Sequence, residues 1–227
     1  MKKSQLSCGA VIVAAGTASR MGGIDKVMAN LGGKPMICRT VETFAKNKEI
    51  DEIVVVTRQD LISQVQSLCG QFHKVKAVVV GGSNRVESVQ AGLSALSAGV
   101  ALAAIHDGAR PLISESVIIH TIQAAREMGA AAPGVAVKDT IKVSCDGMIA
   151  STPKRDTLRA VQTPQVFTRE LLKRALQQSD CAEITDDCSA VEQLGHPVKL
   201  VDGDERNIKI TTPMDLKIAE MLLEEMA

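Results

Sequence analysis

The stretch VIVAAGTASRMGGIDK, Val11 to Lys26, opens with the character of a buried strand and breaks at Gly16 into small residues that carry Arg20 and Lys26. Small residues let backbone N–H groups approach a phosphate closely, and two cations beside them neutralise charge that the amides alone could not. The turn is not a P-loop, because no GK[ST] follows Gly16 at the required distance, and it is not GxGxxG either. Taken alone, such a turn is more often an ordinary solvated one. Its meaning depends on the chain around it.

Working outward, further apolar runs follow that of Ala10 to Ala15: Glu52 to Thr57, Val75 to Val80, Ala101 to His106 and Ala130 to Val137. Their near-continuous apolar character predicts strands covered on both faces. Between them Val86, Val89, Leu93 and Leu96 fall at helical spacing, as do Val117, Ile118, Ile122 and Ala125. This is the βαβ rhythm of a parallel sheet, hence an α/β fold. The rhythm changes at DTIKVSCDGMIAST, where two short extended runs flank Asp146-Gly147, a dipeptide of tight hairpins. A β-arm is expected there, at about 138–158, on a single domain spanning 1–227. TPQVF then returns to the sheet, followed by a helix with Leu171, Leu172, Ala175 and Leu176 on one side. Thr212-Pro213 supplies an N-cap and first position for a last helix, with Leu216, Ala219, Leu222 and Leu223 as its buried stripe.

Composition narrows the function. The 227 residues are 45% hydrophobic, enough for one sizeable core, and 26 basic residues balance 26 acidic ones. No global field recruits nucleic acid or an anionic membrane, so any anion must be held locally. With no Trp, no Tyr and only Phe44, Phe72 and Phe167, the chain also lacks platforms for stacking bases. The first apolar run is too short for a secretory signal, and no segment is long enough to cross a bilayer. The six cysteines form no CxxC pair and the four histidines show no ligand spacing. These features predict reduced, mostly packing thiols in a cytoplasmic protein.

The run ending in His106-Asp107-Gly108-Ala109-Arg110-Pro111 places a carboxylate at the C-terminal end of a strand, facing the same crevice as the first loop. Asp107 there suits Mg²⁺, which takes one or two carboxylates together with substrate phosphates, while Arg110 suits a further anionic group. His106 reads as a packed strand-end residue.

AAGTASRMGGIDK, GGKPMI, GGSNRVESV, HDGARPLI, KDTIK, TPQVF, ITDDCSAVE and NIKITTPMDL occur in that order. Together they resemble the 2-C-methyl-D-erythritol 4-phosphate cytidylyltransferases of isoprenoid biosynthesis, from Ala10 to about Leu222. The resemblance implies a Rossmann-like nucleotidyltransferase fold whose projecting arm clasps a second subunit as a homodimer. It also implies that CTP and methylerythritol phosphate combine, with Mg²⁺, to give CDP-methylerythritol and pyrophosphate. On this basis Ala14, Ala15 and Gly16 line the nucleotide loop, and Arg20 and Lys26 bind the triphosphate and stabilise charge at the α-phosphorus. Gly82 and Ser88 contact the cytosine, Arg85 shapes their turn, and Asp107 meets the metal. Arg110, Thr140, Arg155, Thr163 and Lys209 surround the polyol phosphate, with Thr140 and Arg155 reaching across from the partner's arm. Ala18 stands where the family usually has Gly, Asp25-Lys26-Val27 where it has Pro-Lys-Gln, and Ser83 where an acidic residue often follows the double glycine. Two other readings compete: a cytidylyltransferase acting on D-ribitol 5-phosphate, and a catalytically silent nucleotide-binding homologue.

Overall fold

The computed structural model describes residues 6–16, 26–178 and 184–225. Arg20, Ala18 and Asp25 of the first loop lie outside them. The chain begins with β1 (Cys8–Val13), a short hairpin of β2 (Asn30–Leu31) and β3 (Lys34–Pro35), and α1 (Met36–Lys46). Strand and helix then alternate through β4 (Glu52–Thr57), α2 (Ile62–Cys69), β5 (Val75–Val80), α3 (Arg85–Ala95), β6 (Leu102–Asp107), α4 (Glu115–Met128) and β7 (Ala130–Ala136). After the hairpin of β8 (Val143–Cys145) and β9 (Met148–Ser151), the chain returns as β10 (Arg159–Val161) and β11 (Gln165–Thr168). It closes with α5 (Arg169–Gln178), α6 (Asp187–Gln193), β12 (Lys199–Asp202) and α7 (Pro213–Glu225).

Eight strands form one sheet. β1 lies between β6 and β4, and β5 lies beyond β4, all parallel. On the other side β11 runs antiparallel to both β6 and β7, β10 continues that antiparallel pairing along β7, and β12 is parallel to β7. The expected mostly parallel sheet therefore forms. Its antiparallel members arise where the chain turns back at the arm rather than crossing over through a helix.

Alternation along each strand explains the unbroken apolar runs. Ala10 and Ile12 of β1, with Ile53 and Val55 of β4, pack towards α1, α2 and α4, while Val11, Val54 and Val56 pack towards α3, α5 and α6. Phe44 and Phe167 are fully buried in these two opposite clusters, and each such burial stabilises by roughly 1.5–3 kcal/mol. Gly92 lets α3 lie close on the sheet. A Cβ there would strike Val11 and come within 2.9 Å of Val56 Cγ2.

Several boundaries differ from expectation. β1 ends at Val13, not Ala15, because its ladder with β6 ends at the Val13–Asp107 pair; the apolar run simply continues into the loop. β6 is displaced by one residue, and β7 stops at Ala136. The helix stripe on α7 is weaker than predicted: Ala219 is fully buried, whereas Leu216, Leu222 and Leu223 are partly covered around Leu31, Met36 and Ile210. The predicted cap is present, with the Asp215 N–H donating to Thr212 Oγ1 at 3.2 Å and Asp215 Oδ2 accepting the Thr212 N–H at 2.8 Å.

The arm turns at Asp146 (φ 50°) and Gly147 (φ 78°), the two left-handed residues of a type I′ hairpin. Every residue of β8 and β9 is exposed, including Met148 and Ile149. Cys8, Cys38, Cys69 and Cys188 are buried and unbridged, and Cys145 is exposed on the arm. Burial pushes the Cys8 thiol up to about 12, so it packs rather than reacts. Among the described residues, no helix is long and apolar enough to cross a membrane.

Candidate active site

The C-terminal ends of β1, β4, β5 and β6 open onto one cavity of about 520 Å³. Because β4 and β6 flank β1 on opposite sides, strand order reverses there, and open α/β sheets bind ligands in the crevice at such a point. Ala14, Ala15 and Gly16 form one wall. The Ala14 N–H donates to Val56 O at 2.7 Å, which pins the start of the loop to β4. At its far end Lys26 returns to the cavity, and a Cβ on Gly16 would lie 3.9 Å from Lys26 Nζ. Val27, next in the chain, is buried and anchors this return.

The opposite wall is the turn between β5 and α3. The Gly81 N–H donates to Thr57 O at 2.8 Å, and a Cβ on Gly81 would come within 2.5 Å of Ala15 Cβ and 2.7 Å of Ser88 Oγ. Only glycine allows the two walls to approach so closely. Asn84 caps α3 by accepting the Glu87 N–H at 2.9 Å, and Glu87 returns its carboxylate to the Ser83 N–H at 2.7 Å. Gly82, Arg85 and Ser88 thereby line the cavity on a turn held at both ends.

Asp107 is the carboxylate of this lining. Its Oδ2 lies 2.9 Å from Lys209 Nζ and 3.6 Å from Arg110 Nε, and its Oδ1 lies 4.0 Å from Arg85 Nε. Burial pushes the carboxyl up, but Lys209 and Arg85, with Arg110 behind them, overcome that and hold it at about 2. Beneath it, His106 is fully buried. Its Nε2 lies 3.1 Å from Arg110 O, and its Nδ1 lies 3.0 Å from Thr163 Oγ1. A carbonyl can only accept, so Nε2 carries the proton and Nδ1 accepts from the Thr163 hydroxyl. The Thr163 oxygen accepts in turn from the Asp107 N–H at 3.2 Å. Burial draws the imidazole down to about 4, so the ring is neutral near pH 7.

The residues expected at the site thus fall into groups. Ala14, Ala15, Gly16, Lys26, Gly82, Arg85, Ser88, Asp107 and Lys209 meet at one cavity. Arg110 adjoins it through Asp107 and donates from Nη1 to Asn207 O at 2.7 Å. Thr163 is 5% exposed, with its hydroxyl engaged beneath the site. Thr140 and Arg155 are exposed at the arm, where Arg155 Nη1 donates to Lys138 O at 3.0 Å. Sequence reasoning gave no role to Arg58 and Gln59, which also line the cavity, or to Asp187, which pairs with Arg85. Asp187 and Arg85 each sit in a quoted motif, but no spacing rule links residues so far apart in the chain.

Among the described residues, no group of three or more His, Cys, Asp or Glu side chains is placed to hold a metal. An ionised Asp107 beside a cavity of about 520 Å³ that Lys26, Arg58, Arg85 and Lys209 also line fits a cation that takes most of its ligands from a triphosphate, rather than one caged by protein.

The family model for 2-C-methyl-D-erythritol 4-phosphate cytidylyltransferase matches residues 8–225. A protein of that name from Dehalococcoides mccartyi is 43% identical over 221 residues, covering 96% of each chain, and one from Desulforamulus reducens is 45% identical over 222 residues, covering 95% of each. The crystal structure of 4-diphosphocytidyl-2C-methyl-D-erythritol synthase from Anaerococcus prevotii superposes with a TM-score of 0.87 at 33% identity, covering 97% of both chains. With a nucleotidyltransferase-like cavity at the expected switch point and a match along nearly its whole length, the chain belongs to the 2-C-methyl-D-erythritol 4-phosphate cytidylyltransferase family.

Proposed function

We propose that this protein transfers CMP from CTP to 2-C-methyl-D-erythritol 4-phosphate, giving CDP-methylerythritol and pyrophosphate in the non-mevalonate isoprenoid pathway. The observation that carries this reading is the convergence of the Ala14–Gly16 loop, Lys26, the Gly81-Gly82 turn and the Asp107–Lys209 pair on one cavity, in a chain of this family. A phosphate oxygen of the polyol attacks the α-phosphorus, the new O–P bond forms, and the bond to the bridging oxygen breaks to release pyrophosphate. The nucleophile is already an anion, so no general base is needed; positioning and neutralisation carry the catalysis.

In this reading Ala14, Ala15 and Gly16 cradle the nucleotide, Gly82 and Ser88 contact the cytosine, and Arg85 shapes their turn. Lys26, with Arg20, neutralises the triphosphate as charge develops. Lys209, with Arg110 adjoining it through Asp107, forms the polyol phosphate side, and Thr163 supports that side from beneath through the Asp107 N–H and His106. A Mg²⁺ ion bound with the triphosphate at Asp107 would supply further charge neutralisation. Thr140 and Arg155 serve the pocket of a second copy, because a two-stranded arm with exposed Met148 and Ile149 needs a surface to order it. Soluble substrates and product suit a cytoplasmic enzyme.

Pyrophosphate release, measured over four nucleotides and several polyol phosphates, tests the reaction. Release with CTP and methylerythritol phosphate is expected to exceed that of every other pair. Faster release with D-ribitol 5-phosphate, or none with any pair, overturns the reading.

A further inference from the structure

The aspartates of ITDDCSAVE take no part in the chemistry above, yet both belong to one hydrogen-bonded network that reaches the cavity, with Asp187 and Gln165 buried at its centre. Asp187, with a side chain 1% exposed, receives both ends of the Arg85 fork: Nη1 to Oδ1 at 2.8 Å and Nη2 to Oδ2 at 2.7 Å. Asp187 is itself held firmly. Gln165 Oε1, on β11, accepts the N–H groups of Asp187 at 3.0 Å and Cys188 at 3.1 Å, while Gln165 Nε2 donates to Asp186 Oδ2 at 2.7 Å. Asp186 also caps α6 through the Ser189 N–H at 2.9 Å. Since β11 is laddered to β6, the anchor of Asp187 and the strand carrying Asp107 are tied by backbone hydrogen bonds. With both Nη atoms of the Arg85 fork engaged by Asp187, Arg85 Nε lies 4.0 Å from Asp107 Oδ1, beyond hydrogen-bond range.

We infer that Asp187 is a positioning residue: by occupying the Arg85 fork it prevents a direct bidentate pair between Arg85 and Asp107, and so keeps Asp107 Oδ1, the oxygen that Lys209 and Arg110 do not take, available to the cation that enters with the nucleotide. The inference rests on the cytidylyltransferase reading for the identity of that nucleotide and for a cation that meets Asp107. An arginine fork is drawn strongly to a carboxylate. With Asp187 neutralised, Asp107 becomes the anion that Arg85 can reach by a small movement.

Calorimetric titration with Mn²⁺ and CTP, without polyol phosphate, reads this apart from turnover, with thermal melting as the check on folding. Asp187→Asn is expected to weaken Mn²⁺–CTP binding about tenfold or more. That variant leaves a buried guanidinium unpaired and can fail to fold, so a second comparison decides independently. Arg85→Gln removes the competing cation, and burial already raises the Asp187 pKa, so the orphaned acid can take up a proton. Adding Asp187→Asn to Arg85→Gln is therefore expected to change binding by less than about twofold. A further loss on adding it, or unchanged binding in a folded Asp187→Asn single variant, overturns the inference. Wild-type protein that binds Mn²⁺–CTP yet releases no pyrophosphate overturns the reaction and leaves this inference standing. A wild type that binds no Mn²⁺–CTP overturns both.

Discussion

Lys209 Nζ stands 2.9 Å from Asp107 Oδ2, joining the end of β6 to the segment that leads into α7. The backbone holds the same junction, since the Ile210 N–H donates to Ala109 O at 2.9 Å. The Lys209 side chain is 42% exposed, so solvent screening keeps this pair a modest contributor to stability. Its value lies in preorganisation: cation and carboxylate occupy the crevice before any phosphate arrives.

Asp107→Asn keeps the size of the side chain and removes the charge that a hard cation needs. Turnover is expected to fall and the Mg²⁺ concentration for half-maximal rate to rise. A Mg²⁺ titration with an unmoved midpoint would assign Asp107 to holding Lys209 and Arg110 alone.

Lys26→Ala and Arg20→Ala are each expected to lower kcat by about 100- to 1,000-fold, the usual effect of removing one preorganised charge contact. Lys26 sits on no core strand or helix stripe, and Arg20 belongs to a stretch of sequence without an apolar stripe, so melting temperatures should shift little. Near-normal turnover in a folded variant would remove that residue from the reaction.

His106 makes stability depend on pH. Its folded-state value near 4 lies below the ordinary 6.5, so between these values the unfolded chain binds more protons and stability rises with pH. The contribution is complete above about pH 6.5 and lost as pH falls to about 4, on the order of 3 kcal/mol in all. Urea unfolding across this window is expected to show that slope in the wild type and a shallower one in His106→Asn. Parallel slopes in the two proteins would show that the imidazole does not titrate as its burial demands.

Arg155→Ala should disable the pocket of a neighbouring copy, whereas Lys26→Ala disables the pocket of its own chain. Mixing the two inactive variants under subunit exchange is expected to restore partial activity, because one of the two sites in a heterodimer keeps both residues. If exchange is demonstrated by mass and the mixture stays inactive, Arg155 does not serve a neighbour.

Much of the architecture was legible along the chain because it is written in short-range patterns. β4 and β5 begin and end where their apolar runs do, since loop residues bound both. The arm turn at Asp146-Gly147 and the Thr212 cap of α7 depend on backbone preferences within three or four residues. The apolar run of β1 overshot, because Ala14 and Ala15 are as apolar as a strand yet lie past the end of the β6 ladder.

Ordered motifs in the sequence were enough to name the family and half of the residues that meet at the cavity. The relations among those residues were decided only by tertiary structure. That Arg85 is clamped by Asp187, that His106 takes the Thr163 hydroxyl, and that Asp107 sits among three cations all depend on which strand ends and helix termini become neighbours. Periodicity records which face of an element is buried. It carries no address for a partner a hundred residues away, because a charged pair is selected by the geometry of the packed sheet and by the cost of leaving a buried charge alone.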